Sequence, residues 1–199
     1  MSSNSPAGSH AQLQEASAWV ARFAPLIKPG GRVLDLACGG GRHARYLAAR
    51  GCLVEAVDRD AEALLSLTRE PGITVRHADL EGGPWPYADS MFDAIIVTNY
   101  LYRPLLPLLG PCLGSAGLLI YETFARGNES YGRPSNPEFL LAPGELLALA
   151  AQTQLRVLAY EDGYVDLPKP AMVQRLVAFK PPAALAALQL MPGNSPEAG

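Results

Sequence analysis

The sequence has little from which to build a disulfide frame or a metal centre. Its three cysteines, Cys38, Cys52 and Cys112, are odd in number and none shares a C-x-x-C spacing. They read as reduced thiols, which makes a cytoplasmic location the expectation. The three histidines, His10, His43 and His77, are scattered, so no metal site is expected. There is no run of about 18 uncharged apolar residues, so no membrane-spanning helix is expected. The first ten residues, MSSNSPAGSH, lack the basic region and apolar core of a secretory signal. Basic charge is also in short supply. Sixteen Lys and Arg against nineteen Asp and Glu leave a net charge of −3, which argues against broad binding to phosphate backbones. The partners left as expectations are a small-molecule substrate and, at most, a second copy of the chain.

What is present is enough for one globular domain. With 199 residues, 49% of them hydrophobic, the chain can bury a sizeable core. Small polar residues at 1–8 predict disorder, 9–180 predict the domain, and the Ala/Pro-rich 181–199 predict a mobile tail. Ser9 and Gln12 fit a capping box, with a helix expected from there to about Ile27.

The chain is organised around Arg32 to Gly51, RVLDLACGGGRHARYLAARG. Val33, Leu34 and Leu36 flank Asp35 in a buried strand. Gly39, Gly40 and Gly41 remove every Cβ from the turn, and a helix should run from Arg42 to a stop at Gly51. A glycine turn between a strand and a helix lets backbone approach a ligand closely, with free amides facing it. The following strands read as Cys52–Val57, ending at Asp58, Ile73–His77, followed by Asp79 and Leu80, Ala94–Thr98, ending at Asn99 and Tyr100, and Gly117–Phe124 after a small-residue turn at 114–116. A short crossover helix is expected within 103–113, a helix from 143–145 to Ala151, and closing strands at Leu155–Tyr160 and Met172–Lys180. The alternation predicts a three-layer α/β sandwich.

Two nucleotide-type ligands suit this turn. The run Gly39-Gly40-Gly41-Arg42-His43-Ala44 fits the loose dinucleotide fingerprint, and Asp58, 19 residues beyond Gly39, is where an acid meets a ribose. The run from Val33 to Gly41 also resembles motif I of class I S-adenosylmethionine-dependent methyltransferases. Arg42, Tyr46, Leu47 and Ala48 extend the likeness toward the tellurite-resistance and related small-molecule group, and DSMFD at 89–93 resembles that family's approach to its fourth strand.

The resemblance implies a Rossmann-like, seven-stranded, mostly parallel sheet in the order 3-2-1-4-5-7-6, with the last strand antiparallel. It implies S-adenosyl-L-methionine as cofactor and S-adenosyl-L-homocysteine as product, with in-line methyl transfer to a small molecule. Carried over position by position, it puts the methionine end against Asp35, the amides of Gly39, Gly40 and Gly41, and Arg42, and the adenine against Asp79 and Leu80; Ala37, Cys38, Asp58, Arg59 and Asn99 complete the expected cofactor-binding set. Tyr100, Tyr121, Glu122 and Tyr131 are candidates for the substrate pocket, and no catalytic base stands out. A nicotinamide-dependent oxidoreductase and a cofactor-binding domain without catalysis remain the alternatives. The stretch 125–142 is the longest irregular one, placed where a loop covers an active site.

Overall fold

The structure, a computed structural model, describes residues 15–181. The expected N-terminal disorder, the capping box at Ser9 and Gln12, and the tail beyond Pro181 lie outside the described residues. Helix α1 spans Ala18–Phe23, and a 3-10 turn at Ala24–Leu26 follows it. This corrects the long helix expected through to Ile27. Ser17 caps α1, its hydroxyl accepting from the Val20 amide, and Pro25 shapes the 3-10 turn that follows.

The sheet is built from β1 (Arg32–Leu36), β2 (Leu53–Asp58), β3 (Ile73–His77), β4 (Phe92–Thr98), β5 (Leu113–Phe124), β6 (Arg156–Val165) and β7 (Ala171–Phe179). Their order is β3-β2-β1-β4-β5-β7-β6, as expected. The pairings among β1 to β5 are parallel, and β7 runs antiparallel to both β5 and β6. Helices α2 (Arg42–Ala49), α3 (Ala61–Leu65), α4 (Leu106–Leu109) and α5 (Glu145–Gln152), with 3-10 turns at Arg103–Leu105, Asn128–Ser130 and Pro137–Phe139, complete the described elements.

Each face of the sheet has its own apolar layer. Leu34, Leu36, Ile95 and Val97 pack with α4 and α5; Val33, Ala56, Ile96 and Ile120 pack with α1, α2 and α3. Helix α2 ends as expected: Gly51 has φ 84°, and the amides of Gly51 and Cys52 bond the carbonyls of Ala48 and Leu47. The small-residue turn expected at 114–116 is instead part of β5. The ladder shifts register between Phe92↔Leu113 and Ala94↔Leu118, with Ala116 at φ 62° taking up the irregularity. The strand order reverses between β1 and β4, and a parallel sheet opens its ligand crevice there, beyond the strand C-termini.

Candidate active site

The glycine turn is held from three sides. The Cys38 amide bonds the Val57 carbonyl at 3.0 Å. Asp58 Oδ2 accepts from the Gly39 amide at 2.7 Å, and its Oδ1 accepts from the Asp60 amide at 2.9 Å. Arg45 Nη1 donates to the Gly40 carbonyl at 2.6 Å and is itself held by Glu70 and Ser66. Asp58 therefore fixes the turn and keeps free lone pairs for a ligand.

The three glycines do different things. A Cβ at Gly39 or Gly40 would meet nothing within 4 Å, so the backbone there borders open space. At Gly41, φ is 74° and a Cβ would lie 2.4 Å from Leu67 Cδ1, in the buried layer. Gly41→Ala is accordingly expected to cost about 2–5 kcal/mol of stability, from left-handed strain plus overpacking, measurable by urea unfolding. A loss under about 1 kcal/mol would show that Leu67 moves aside. Ala37 also has a left-handed φ, 54°, a strained choice for a residue with a Cβ and one found at functional turns.

Beside the turn lies a cavity of about 400 Å³. Ala37, Asp58, Arg59, Asp79, Leu80, Asn99 and Tyr100 line it, so four separate strand ends converge on one space. Asp79 Oδ1 accepts from the Glu81 amide at 2.9 Å, and the Glu81 and Gly82 amides hold its carboxyl below the usual range. Cys38, Gly39, Gly40, Gly41 and Arg42 form the adjoining turn and do not line the cavity. Burial, then the charges of Asp35 and Asp58, push the Cys38 thiol up, so it stays protonated. Arg42 Nη1 donates to the Glu15 carbonyl at 3.4 Å.

Three sequence candidates fall elsewhere. Tyr121 is buried and donates to the Tyr100 carbonyl at 2.9 Å. Glu122 points to the other face of the sheet and pairs with Arg175 at 2.7 Å. Tyr131 packs on Tyr164 with ring centroids 5.1 Å apart. The cavity is closed instead by Thr123, Phe124, Pro134 and Phe139, none of which was singled out. The rule that ligands meet the very ends of parallel strands points two residues further along β5 than Tyr121 and Glu122.

Asp35 lies at 1% exposure, and neither carboxylate oxygen has a hydrogen-bond partner. Burial raises its pKa to about 7, against the opposing pull of the Ala44 amide and the Arg42 charge. His43, also buried, links two segments. Its Nε2 accepts from the Ser17 amide, so its Nδ1 carries the proton and donates to Thr98 Oγ1, both at 3.2 Å. Burial lowers its pKa to about 3, which keeps it neutral.

Residues 33–106 match the family model of the methyltransferase domain. That match covers the strand–turn–helix unit and the next three strands, and the solved structures below share the fold. Among solved structures, TehB from Haemophilus influenzae aligns with a TM-score of 0.70 and 19% identity over 83% of this chain. This chain spans 62% of that protein's length. A TehB-like S-adenosylmethionine-dependent methyltransferase from Corynebacterium glutamicum aligns at 0.62 and 19% identity, over 88% of this chain and 100% of its own. An S-adenosylmethionine-dependent methyltransferase from Mesorhizobium loti aligns at 0.64 and 17% identity, over 83% and 99%. A comparison with curated proteins finds no match. The Corynebacterium glutamicum and Mesorhizobium loti proteins are both described as S-adenosylmethionine-dependent. The residues here fit a ligand of that kind: an unpaired buried carboxylate at Asp35, open space against Gly39 and Gly40, and Asp58 and Asp79 on one cavity. Among the described residues no helix is long and apolar enough to cross a membrane, and no cluster of three His, Cys, Asp or Glu could hold a metal ion.

Proposed function

We propose that this methyltransferase domain passes the methyl group of S-adenosylmethionine to a small-molecule acceptor inside the 400 Å³ cavity. The observation that carries the reading is that Asp58 and Asp79, ends of two different strands, face one cavity beside the glycine turn. A dinucleotide site accounts for the first of these acids but gives the second no role.

The bound cofactor supplies an electrophilic methyl carbon, and the chain's own residues do the rest. Asp58 takes the ribose hydroxyls as an acceptor, with Arg59 beside it. Asp79 accepts from the adenine amino group, with Leu80 as an apolar surface next to it. Asp35 balances the ammonium at the methionine end, and Arg42 faces its carboxylate. Asn99 and Tyr100 line the same cavity. Burial, and then Glu81, push the Tyr100 hydroxyl up, so it keeps its proton and positions a ligand without acting as a base. Holding the acceptor in line with the methyl group is worth about 7–11 kcal/mol of barrier in well-oriented systems. The buried, unpaired cysteines suit a reducing, cytoplasmic setting, and the cavity volume suits a small acceptor.

The reading is tested by incubating the protein with S-adenosylmethionine and panels of small molecules, an oligonucleotide and a protein mixture. Release of S-adenosylhomocysteine is followed by mass spectrometry. Turnover above background with a small molecule is the expected result. Turnover with the oligonucleotide alone would contradict the acceptor class, and cofactor binding without any turnover would favour a non-catalytic domain.

A further inference from the structure

Gly40 has no side chain to place it, and a Cβ there would meet nothing within 4 Å. Its two peptide planes are therefore set by hydrogen bonds alone. Of the three glycine amides in the turn, Gly39 donates to Asp58 Oδ2 and Gly41 donates to the Cys38 carbonyl at 2.9 Å. The Gly40 amide donates to no group among the described residues, so it is the donor the turn keeps free. The plane that follows it is held at both ends. The Gly41 amide holds one, and Arg45 Nη1 holds the other by donating to the Gly40 carbonyl at 2.6 Å. The Arg45 amide also donates to the Gly41 carbonyl at 2.9 Å, so one residue of α2 fixes two successive carbonyls. The rest of its guanidinium is engaged as well. Nε donates to Glu70 Oε1 at 3.0 Å, and Nη2 donates to the Ser66 carbonyl at 3.1 Å and to Ser66 Oγ at 3.0 Å. Ser66 caps the end of α3, and Leu67 next to it packs under Gly41. The connection from α3 to β3 thus braces the glycine turn from outside.

Resting on the methyltransferase reading, we infer that Arg45 is a positioning residue for the methionine half of the cofactor, fixing the Gly40–Gly41 peptide plane so that the free Gly40 amide is aimed before the ligand arrives. Glycine has the widest choice of φ and ψ, and a donor that must be ordered on binding subtracts that entropy from the affinity. The bonds of Arg45 order it beforehand. All three guanidinium nitrogens are engaged on the turn or on its brace, and Glu70 answers the charge, so Arg45 acts through Gly40 and not on the ligand. As an ion pair, Arg45 and Glu70 are 39% and 40% exposed, an arrangement that adds little to stability. What a planar fork bonded to three residues supplies is direction, which the single ammonium of a lysine does not reproduce. The adenosine half of the ligand falls to Asp58 and Asp79, neither of which Arg45 touches, so its effect is confined to one half of the cofactor.

The test titrates the intact protein with two probes, S-adenosylhomocysteine and methylthioadenosine, which keeps the adenosine and lacks the amino-acid end. Arg45→Ala is expected to weaken S-adenosylhomocysteine about tenfold and methylthioadenosine by less than about twofold. Arg45→Lys is expected to fall between, at about threefold weaker for S-adenosylhomocysteine, because it recovers one bond of the grip. Urea unfolding without ligand is the control, and both variants should stay within about fivefold of wild type in their unfolding equilibrium constants. If Arg45→Ala binds S-adenosylhomocysteine within about twofold of wild type, the positioning role falls and the methyltransferase reading stands. If it loses methylthioadenosine as strongly as S-adenosylhomocysteine, Arg45 supports the fold as a whole and not the methionine half. If Arg45→Lys binds as tightly as wild type, the contribution is charge and not direction, and the assignment falls. If wild type binds no S-adenosylhomocysteine, the underlying reading falls as well.

Discussion

Asp58→Ala is expected to weaken S-adenosylhomocysteine binding roughly 10–150-fold, the equivalent of about 1.5–3 kcal/mol for hydrogen bonds to a charged acceptor. Two effects add in the same direction. The proposed ribose contact loses its carboxylate, and the glycine turn loses the 2.7 Å anchor at the Gly39 amide. Asp58→Asn separates them. Its side-chain carbonyl can still accept from Gly39, but it brings one acceptor oxygen where the carboxylate has two. Titration calorimetry should therefore rank the wild type above Asn and Asn above Ala. A loss under about threefold in the alanine variant would contradict the ribose role.

Asp35→Asn is expected to stabilise the ligand-free protein at pH 8 by up to roughly 4 kcal/mol and to weaken the cofactor at the same time. The carboxyl is raised from 3.8 to about 7 by burial, so between those values the folded state holds a proton that the unfolded state has lost. Folded protein then binds more protons than unfolded protein, and stability falls as pH rises from about 4 to 7. Asparagine has nearly the same shape and no charge, so the variant should lose that slope. Urea unfolding at pH 5 and pH 8 checks it: the advantage of the variant should be about 1.5 kcal/mol at the lower pH and widen to about 4 kcal/mol at the higher. The same divergence explains why the charge is tolerated. An unpaired buried carboxylate costs stability when the site is empty and gains a partner when a cationic ligand arrives. A variant that gained stability with no loss of affinity for S-adenosylhomocysteine would remove Asp35 from the ligand's surroundings.

The parts of this molecule that are local in sequence were legible in it. The strand–turn–helix unit from Arg32 to Gly51 declares itself through an apolar run, three glycines and an amphipathic helix, and the structure repeats it with β1 and α2. β3 keeps its expected bounds, Ile73–His77. The parts that depend on distant partners were not legible. α1 starts at Ala18 because Ser17 caps it and His43, 26 residues away, takes the Ser17 amide. Tyr121 and Glu122 look well placed at a strand end, yet alternation along β5 turns one into each buried face, and the cavity meets Thr123 and Phe124. Arg45, Arg103 and Asn128 bond carbonyls 5, 35 and 6 residues away, and no periodicity or motif records such bonds. Residues that would touch a ligand followed the strand ends; the residues that hold those in place became visible only in the folded chain.

The most direct measurement is a calorimetric titration of the wild-type protein with S-adenosylhomocysteine, set beside one with NAD. Saturable one-to-one binding of S-adenosylhomocysteine, abolished or weakened in Asp58→Ala, is the predicted result. Binding of NAD with no heat from S-adenosylhomocysteine at millimolar concentration would contradict the assignment of this cavity.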